Sequence, residues 1–229
     1  MQSKHEINGI VRAIVSFTDS YVQNKQRKQK EQQESESTLS LDQVASGLDS
    51  IYGQILRQKS CKFVIRIPKL LQSLSTLSRF RLGTHLSEQT DLLRLNVRSL
   101  SRQCLRYIQR FGDEQVQSEL VNNGYGRVMT LSFCTAGGIG EEQDGEIWEG
   151  LIRIHWFLEA LRYGRNDDWQ HFHPLPLLVR ESLEQIEEEG AIEEIEEQMK
   201  NNGFDGHIKR EAKDVKSETL NHFINRRRI

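Results

Sequence analysis

The sequence has few prolines and no long apolar run, and these two absences limit the classes of protein it can encode. Only three prolines occur in 229 residues, which argues against several modules joined by proline-rich linkers. No apolar segment reaches the length of about 18 residues that a transmembrane helix needs, and the amino terminus lacks a signal-peptide cleavage site. We therefore expect a soluble intracellular protein, with one domain, a tail and no membrane partner.

Cysteines are also few, and no catalytic motif accompanies them. Cys61, Cys104 and Cys134 are odd in number and widely spaced, which predicts reduced thiols and no disulfide framework. No serine or cysteine lies in a nucleophile elbow or a Cys-His signature. The sequence therefore predicts that the protein is not an enzyme and needs no cofactor.

Two segments could suggest ligand binding but lack a necessary feature. The glycine-rich stretch "CTAGGIGEEQDGE", residues 134–146, has no lysine after its glycines, and its acidic residues would repel phosphate. The "HFH" stretch, residues 171–173, could bind a metal only if a strand presented both histidines on one side. We expect a loop in both places and no metal site, and we interpret His155 as an ordinary helix residue.

Charge is distributed unevenly along the chain. Residues 1–30 carry six basic and two acidic side chains, a net charge of +4, whereas residues 181–200 carry nine glutamates and one lysine, a net charge of −8. Direct nucleic-acid binding requires a basic domain. This distribution does not supply one, so we expect no nucleic-acid partner.

Apolar residues recur at helical spacing from residue 41 onward, and several of the resulting segments end at glycine. The polar stretch 23–37 lacks an apolar stripe and is predicted to be flexible. Pro68 is predicted to begin a short helix, and Gly112 to end a long one. The segment "IEEEGAIEEIEEQMKNNG" places Ile192, Ile195 and Met199 on one face, which predicts a packed amphipathic helix rather than a solvated acidic tail.

A similar order of segments occurs twice in the second half of the chain. "VQSELVNNGYGRVMTLSF" and "LEQIEEEGAIEEIEEQM" both have an apolar helix, a glycine and a second helix, and Gly124 and Gly190 are 66 residues apart. A longer helix follows each. Two short helices and a long third helix are the parts of an armadillo repeat of about 40 residues.

Four segments resemble the importin-α family of nuclear transport adaptors. "LEQIEEEGAIEEIEEQMKNNGFDGHIKREAKDVKSETLNHF" resembles the closing armadillo repeat of that family, and "SLDQVASGLDSIYGQILRQKSCKFV" resembles the segment that opens its solenoid. "HWFLEALRYGRND" is similar to the third helix of an interior repeat, and "VQNKQRKQKEQQ" is similar to part of the importin-β-binding arm.

The resemblance implies an all-α fold, a right-handed superhelical armadillo solenoid of about four repeats over residues 41–229, with the last repeat at about 175–225. A flexible arm over residues 1–40 would precede it. The implied function is nuclear protein import, with proteins bearing basic nuclear localisation signals and importin-β as partners. Basic residues of the importin-β-binding-like arm would be Lys25, Arg27, Lys28 and Lys30.

The family binds signal peptides with a ladder, a row of tryptophans and asparagines on its concave third helices. The resemblance places this site on two helices here. The tryptophan ring packs against the aliphatic stem of a lysine, asparagine forms hydrogen bonds with the peptide backbone, and acidic groups pair with the lysine ammonium. The implied peptide-binding residues are Trp156, Arg153, Glu149, Gln109 and Arg106.

The chain also departs from the family pattern. Ala160 and Leu105 stand where the ladder has asparagine and tryptophan, and Arg153 and Arg106 would bring positive charge to a groove meant for lysine. An alternative function is therefore a degenerate armadillo scaffold or regulatory protein that has lost signal binding. Trp148 and Trp156 lie two helical turns apart, and periodicity alone leaves open whether each is in the core or in the groove.

Overall fold

The computed structural model describes residues 4–27, 38–81, 86–131, 144–167 and 170–224. Nearly all of the regular structure there is α-helical, which confirms the prediction of an all-α protein. No helix in the described ranges combines the length and the apolar content needed to cross a membrane. The chain divides into two compact units, Met1–Gly112 and Asp113–Ile229, whereas the sequence predicted one solenoid from residue 41.

The described part of the first unit is built from three long helices and two short ones. In the described residues these are α1 (Lys4–Arg27), α2 (Thr38–Leu56), α3 (Gln58–Ile65), α4 (Leu70–Leu77) and α5 (Glu88–Phe111). The long helices α2 and α5 pack against each other. Fully buried apolar side chains of these two helices form much of the core, namely Leu48, Ile51, Ile55, Leu105 and Ile108.

Helix α5 begins and ends where its sequence indicates. The Ser87 side chain accepts a hydrogen bond from the Thr90 N–H at 3.3 Å and caps the first turn. Glu88 and Asp91 in that turn complement the helix dipole. The helix stops at Phe111, directly before Gly112, as the sequence predicted.

Helix α1 differs from the predicted flexible arm over residues 1–40. Its residues Ile7, Val11, Ile14 and Thr18 are buried, and the helix packs against α2 and α4. The spacing of these residues places them on one face of a helix. Burial of that apolar face favours an ordered helix over residues 4–27, and residues 28–37 lie outside the described part of the chain.

Helix α4 begins slightly later than predicted. Lys69 precedes it with a φ of 63°, a left-handed conformation, and the helix starts at Leu70 rather than at Pro68. Lys69 forms an ion pair with Asp19 of α1, with 3.0 Å between Nζ and Oδ2. Leu70, Leu74 and Leu77 are fully buried, so the predicted short buried helix is present with a shifted start.

The second unit contains the same order of three helices twice. Its described helices are α6 (Glu114–Asn122), α7 (Tyr125–Thr130), α8 (Asp144–Tyr163), α9 (Pro176–Glu188), α10 (Ala191–Gln198) and α11 (His207–Ile224). In each triple the third helix is the longest. A 3-10 turn, Phe204–Gly206, precedes α11.

Helices of the two triples contact each other. α6 and α7 pack against α9, and α8 packs against α11. Buried Gln185 of α9 connects the triples, because its amide donates to the Val121 carbonyl at 2.8 Å and accepts from the Gly126 N–H at 3.1 Å. Gly124 and Gly190, with φ of 75° and 71°, occupy the same place before the second helix of each triple.

Helix α10 is amphipathic as predicted, but its buried face differs from the predicted one. The buried residues are Ala191, Glu194, Ile195 and Gln198, whereas Ile192 and Met199 are only half-buried. Glu194 is accommodated because its carboxylate accepts a hydrogen bond from Gln198 Nε2 at 2.8 Å. The buried face of α10 is therefore rotated around the helix from the predicted one, and it includes the hydrogen-bonded pair Glu194 and Gln198.

A short hairpin follows α8 in place of the predicted loop. Strand β1 (Arg165–Asn166) pairs antiparallel with β2 (His171–Phe172). Gly164 enters the hairpin with a φ of 77°, and a Cβ atom there would lie 2.5 Å from the Phe172 carbonyl oxygen. Phe172 is buried while both flanking histidines are exposed, because alternate residues of a strand point to opposite sides.

Candidate functional site

A stripe of exposed side chains on α8 contains the predicted tryptophan. Trp156 is 49% exposed and Tyr163 is 65% exposed. Glu149, Trp156 and Tyr163 are spaced seven residues apart, so they lie along one side of the helix. We call these three residues together with Glu159 the α8 stripe.

Arg153 does not contribute free positive charge to the α8 stripe. Its side chain is only 4% exposed and forms an ion pair with Glu149 one turn earlier. The carboxylate of Glu149 makes this pair, and the Glu149 side chain is 40% exposed. The arginine therefore supports the stripe from beneath rather than presenting its charge to a ligand.

Glu159 brings negative charge beside Trp156, and position 160 brings no amide. Glu159 follows Trp156 by three residues and is exposed, so the two side chains are neighbours on the helix surface. Ala160 is half-buried at the position where the resemblance calls for asparagine. The stripe can contact an aliphatic stem and a cationic group, but it offers no side-chain amide to a peptide backbone.

Trp148 belongs to the packing at the end of α8 rather than to the stripe. Its ring centroid lies 5.0 Å from that of Phe204 and 6.1 Å from that of His207. These contacts connect α8 to the 3-10 turn and to the start of α11. Of the two interpretations that the spacing left open, the structure favours a packing role for Trp148.

The predicted contacts on α5 lie in the other compact unit. Gln109 is buried, with 7% of its side chain and backbone exposed, so it does not present its amide at the surface. The guanidinium of Arg106 lies 5.9 Å from the ring centroid of Tyr107. The five predicted contacts are thus divided, three on α8 in the second unit and two on α5 in the first.

The predicted importin-β-binding residues fall at the edge of the described chain. The backbone of Lys25 and Arg27 belongs to the last turn of α1, but their side chains lie outside the described residues, as do Lys28 and Lys30 entirely.

Cys104 has the features of a structural cysteine. It is fully buried, its Sγ lies 3.8 Å from the Leu48 carbonyl oxygen, and burial raises the pKa of the thiol. A thiol with a raised pKa supplies little thiolate at neutral pH, so Cys104 is a poor nucleophile.

Two members of the α8 stripe, Glu159 and Tyr163, were not among the predicted contacts. Their spacing from Trp156, three and seven residues, was a signal that could have identified them.

Comparison of the chain with protein-family models, with curated proteins and with solved structures gives no match.

Proposed function

We propose that the two helix triples of the second unit are armadillo-type repeats and that the protein is an importin-α-like adaptor for nuclear import. The α8 stripe would bind basic nuclear localisation signal peptides, and the protein would act in the cytoplasm and nucleus. The observation that carries the proposal is the half-exposed Trp156 beside the exposed carboxylate of Glu159, with Arg153 buried beneath.

The arrangement of helices supports the first part of this proposal. Each triple has two short helices and a long one, a glycine with positive φ before the second helix, and packing of its third helix against the equivalent helix of the other triple. These are properties expected of repeats that bury their apolar faces only against their neighbours.

The chemistry of the α8 stripe supports the second part. The aliphatic stem of a lysine can pack on the indole face of Trp156 while its ammonium approaches Glu159, and such cation–aromatic contacts contribute about 0.5–1 kcal/mol at exposed sites. The absence of an asparagine at position 160 leaves the peptide backbone with fewer hydrogen bonds. We therefore expect the signal peptide to bind more weakly than to a complete ladder of tryptophans and asparagines. We also expect its affinity to depend less on which peptide residue lies opposite Trp156.

The test is direct binding of a lysine-rich nuclear localisation signal peptide to the full chain, measured by calorimetry. Replacing Trp156 with alanine should weaken binding by roughly 30-fold, equivalent to about 2 kcal/mol for an aromatic hot spot. Leu177, which is 80% exposed on α9, provides the control, because Leu177→Ala also removes an exposed apolar side chain and should leave the affinity unchanged.

A second candidate function is a scaffold that has retained the repeats and lost signal binding. The burial of Gln109 and the alanine at position 160 favour it, because no ladder amide is presented at either predicted position. Pull-down of importin-β with the full chain provides the second half of the test. Failure to bind both the peptide and importin-β would reject the adaptor and leave the scaffold.

A further inference from the structure

Three metal-ligating side chains converge on one side of the second unit, outside the α8 stripe. His155 lies on α8, and Glu211 and Asp214 lie one turn apart on α11. The His155 Nδ1 atom is 2.7 Å from Glu211 Oε1. One ligand atom from each of the three residues lies within 4.8 Å of the other two.

The backbone that carries these side chains is held by the core. Ile208, Ala212 and Val215 of α11 are fully buried, and they alternate with Glu211 and Asp214 along the helix. α8 packs against α11 over this region. The three ligand atoms are therefore brought together by helices whose separation is set by apolar packing.

Two basic side chains of α8 and α11 are paired with carboxylates outside the cluster. Arg162 of α8 is ion-paired with Glu218, and Lys216 of α11 is paired with Glu196 of α10. Within the described residues, Asp214 makes no hydrogen bond or ion pair. The cluster thus combines a half-buried imidazole and carboxylate with an exposed carboxylate that has lone pairs available for a cation.

We propose that His155, Glu211 and Asp214 bind a divalent transition-metal ion of the Zn²⁺ class. One imidazole nitrogen and two carboxylate oxygens suit Zn²⁺, whereas Mg²⁺ and Ca²⁺ prefer oxygen ligands alone. Zinc lies about 2.0–2.2 Å from such ligands. The ion would replace the hydrogen bond between His155 and Glu211, with water completing its coordination, and small side-chain rotations would bring Asp214 to it.

The bound ion would link two helices that are distant in sequence. Residues 155 and 211 are separated by 56 positions, so the link would restrain α8 against α11. Because the ion binds the folded arrangement and the unfolded chain presents no preformed site, it should raise the thermal stability of the protein.

The experiment is titration of the full chain, freed of metal by a chelator, with Zn²⁺, followed by calorimetry and by the melting temperature. We expect one saturable site and a rise in melting temperature, with no saturable binding of Mg²⁺ or Ca²⁺. Asp214→Asn leaves the His155–Glu211 pair intact and should weaken Zn²⁺ binding at least tenfold, and His155→Gln should abolish it. Absence of saturable Zn²⁺ binding to the unaltered chain would overturn the proposal.

The hairpin histidines provide the matched control. The rings of His171 and His173 lie 5.3 Å apart, so they are a competing place for zinc, and replacing both with glutamine should leave the affinity unchanged. Loss of binding in that double variant, or retention in His155→Gln, would overturn the proposal. With Co²⁺ in place of Zn²⁺, the absorption spectrum should show no thiolate charge-transfer band, and such a band would assign the ion to a cysteine.

Discussion

At the scale of single residues, buried polar side chains define how the two helix triples align. Gln185 uses both ends of its amide, one to the Val121 carbonyl and the other to the Gly126 N–H. A Cβ atom on Gly126 would lie 2.9 Å from Gln185 Cβ and 3.0 Å from the Ser182 carbonyl oxygen. The glycine therefore allows α7 to approach α9 closely enough for these hydrogen bonds.

Replacing Gln185 with alanine should destabilise the protein by about 1–3 kcal/mol. The buried Gly126 N–H loses its partner, and the Val121 carbonyl keeps only the bond from the Gly124 N–H among the described residues. Chemical denaturation monitored by circular dichroism measures the change in free energy of unfolding. Gln115 is the control, since its exposed amide donates a hydrogen bond to Glu119 one turn away within the same helix, and Gln115→Ala should change stability by less than about 0.5 kcal/mol. Equal effects of the two substitutions would contradict the alignment role of Gln185.

At the scale of helices, the turn between the first two helices of each triple depends on glycine. Gly190 has a φ of 71° and no heavy atom within 4 Å of the position that a Cβ would occupy. Glycine is therefore needed at position 190 for its backbone conformation, and not because a larger side chain would clash. Adopting this left-handed conformation costs an L-residue roughly 1–2 kcal/mol.

Gly190→Ala should accordingly lower the free energy of unfolding by about 1 kcal/mol. Gly53 gives the opposite expectation, because it lies inside α2 and an added Cβ atom would have no heavy atom within 4 Å. Gly53→Ala should raise stability by about 0.5–1 kcal/mol through helix propensity. Urea denaturation of both variants measures these changes in the free energy of unfolding. A Gly190→Ala variant that is more stable than the unaltered protein would show that the turn does not need its left-handed conformation.

Most helices of the second unit could be predicted from the sequence because their apolar spacing, end glycines and caps agree. The structure confirms the short helices on either side of Gly124 and Gly190 and the long helix ending before Gly164. Helix α1 was not predicted because the polar stretch 23–37 indicates a flexible arm, although Ile7, Val11 and Ile14 have helical spacing and are buried. The buried face of α10 was misplaced because a Glu–Gln hydrogen bond has no hydrophobic signature.

The candidate site was predictable only in part. Trp156 could be found by resemblance, but the burial of Arg153 and Gln109 depends on tertiary packing that residue spacing does not determine. The same holds for His155 and Glu211, which are 56 positions apart and meet only because α8 packs on α11.

At the scale of the whole chain, the second unit depends on both of its triples. α8 packs against α9 and α11, and its residues Leu151, Phe157, Leu158 and Leu161 are fully buried. A single triple would leave much of this apolar surface uncovered, as is general for repeats that contact only their neighbours.

Removal of residues 180–229 should therefore cause aggregation, because it uncovers the buried side of α8. Size-exclusion chromatography with light scattering measures the outcome. A chain that ends at Ile224 retains the full α11 and should elute as the unaltered protein does. A soluble, fully helical product after removal of residues 180–229 would refute the stacking of the two triples.

The most direct test of the proposed adaptor function uses the fluorescence of Trp156. The chain has three tryptophans, so Trp148→Phe combined with Trp169→Phe leaves Trp156 as the only indole reporter. Addition of a lysine-rich signal peptide should protect the half-exposed Trp156 from acrylamide quenching, with the same concentration dependence as calorimetric binding. Saturable peptide binding without any change in Trp156 quenching, or no binding at all, would contradict the account.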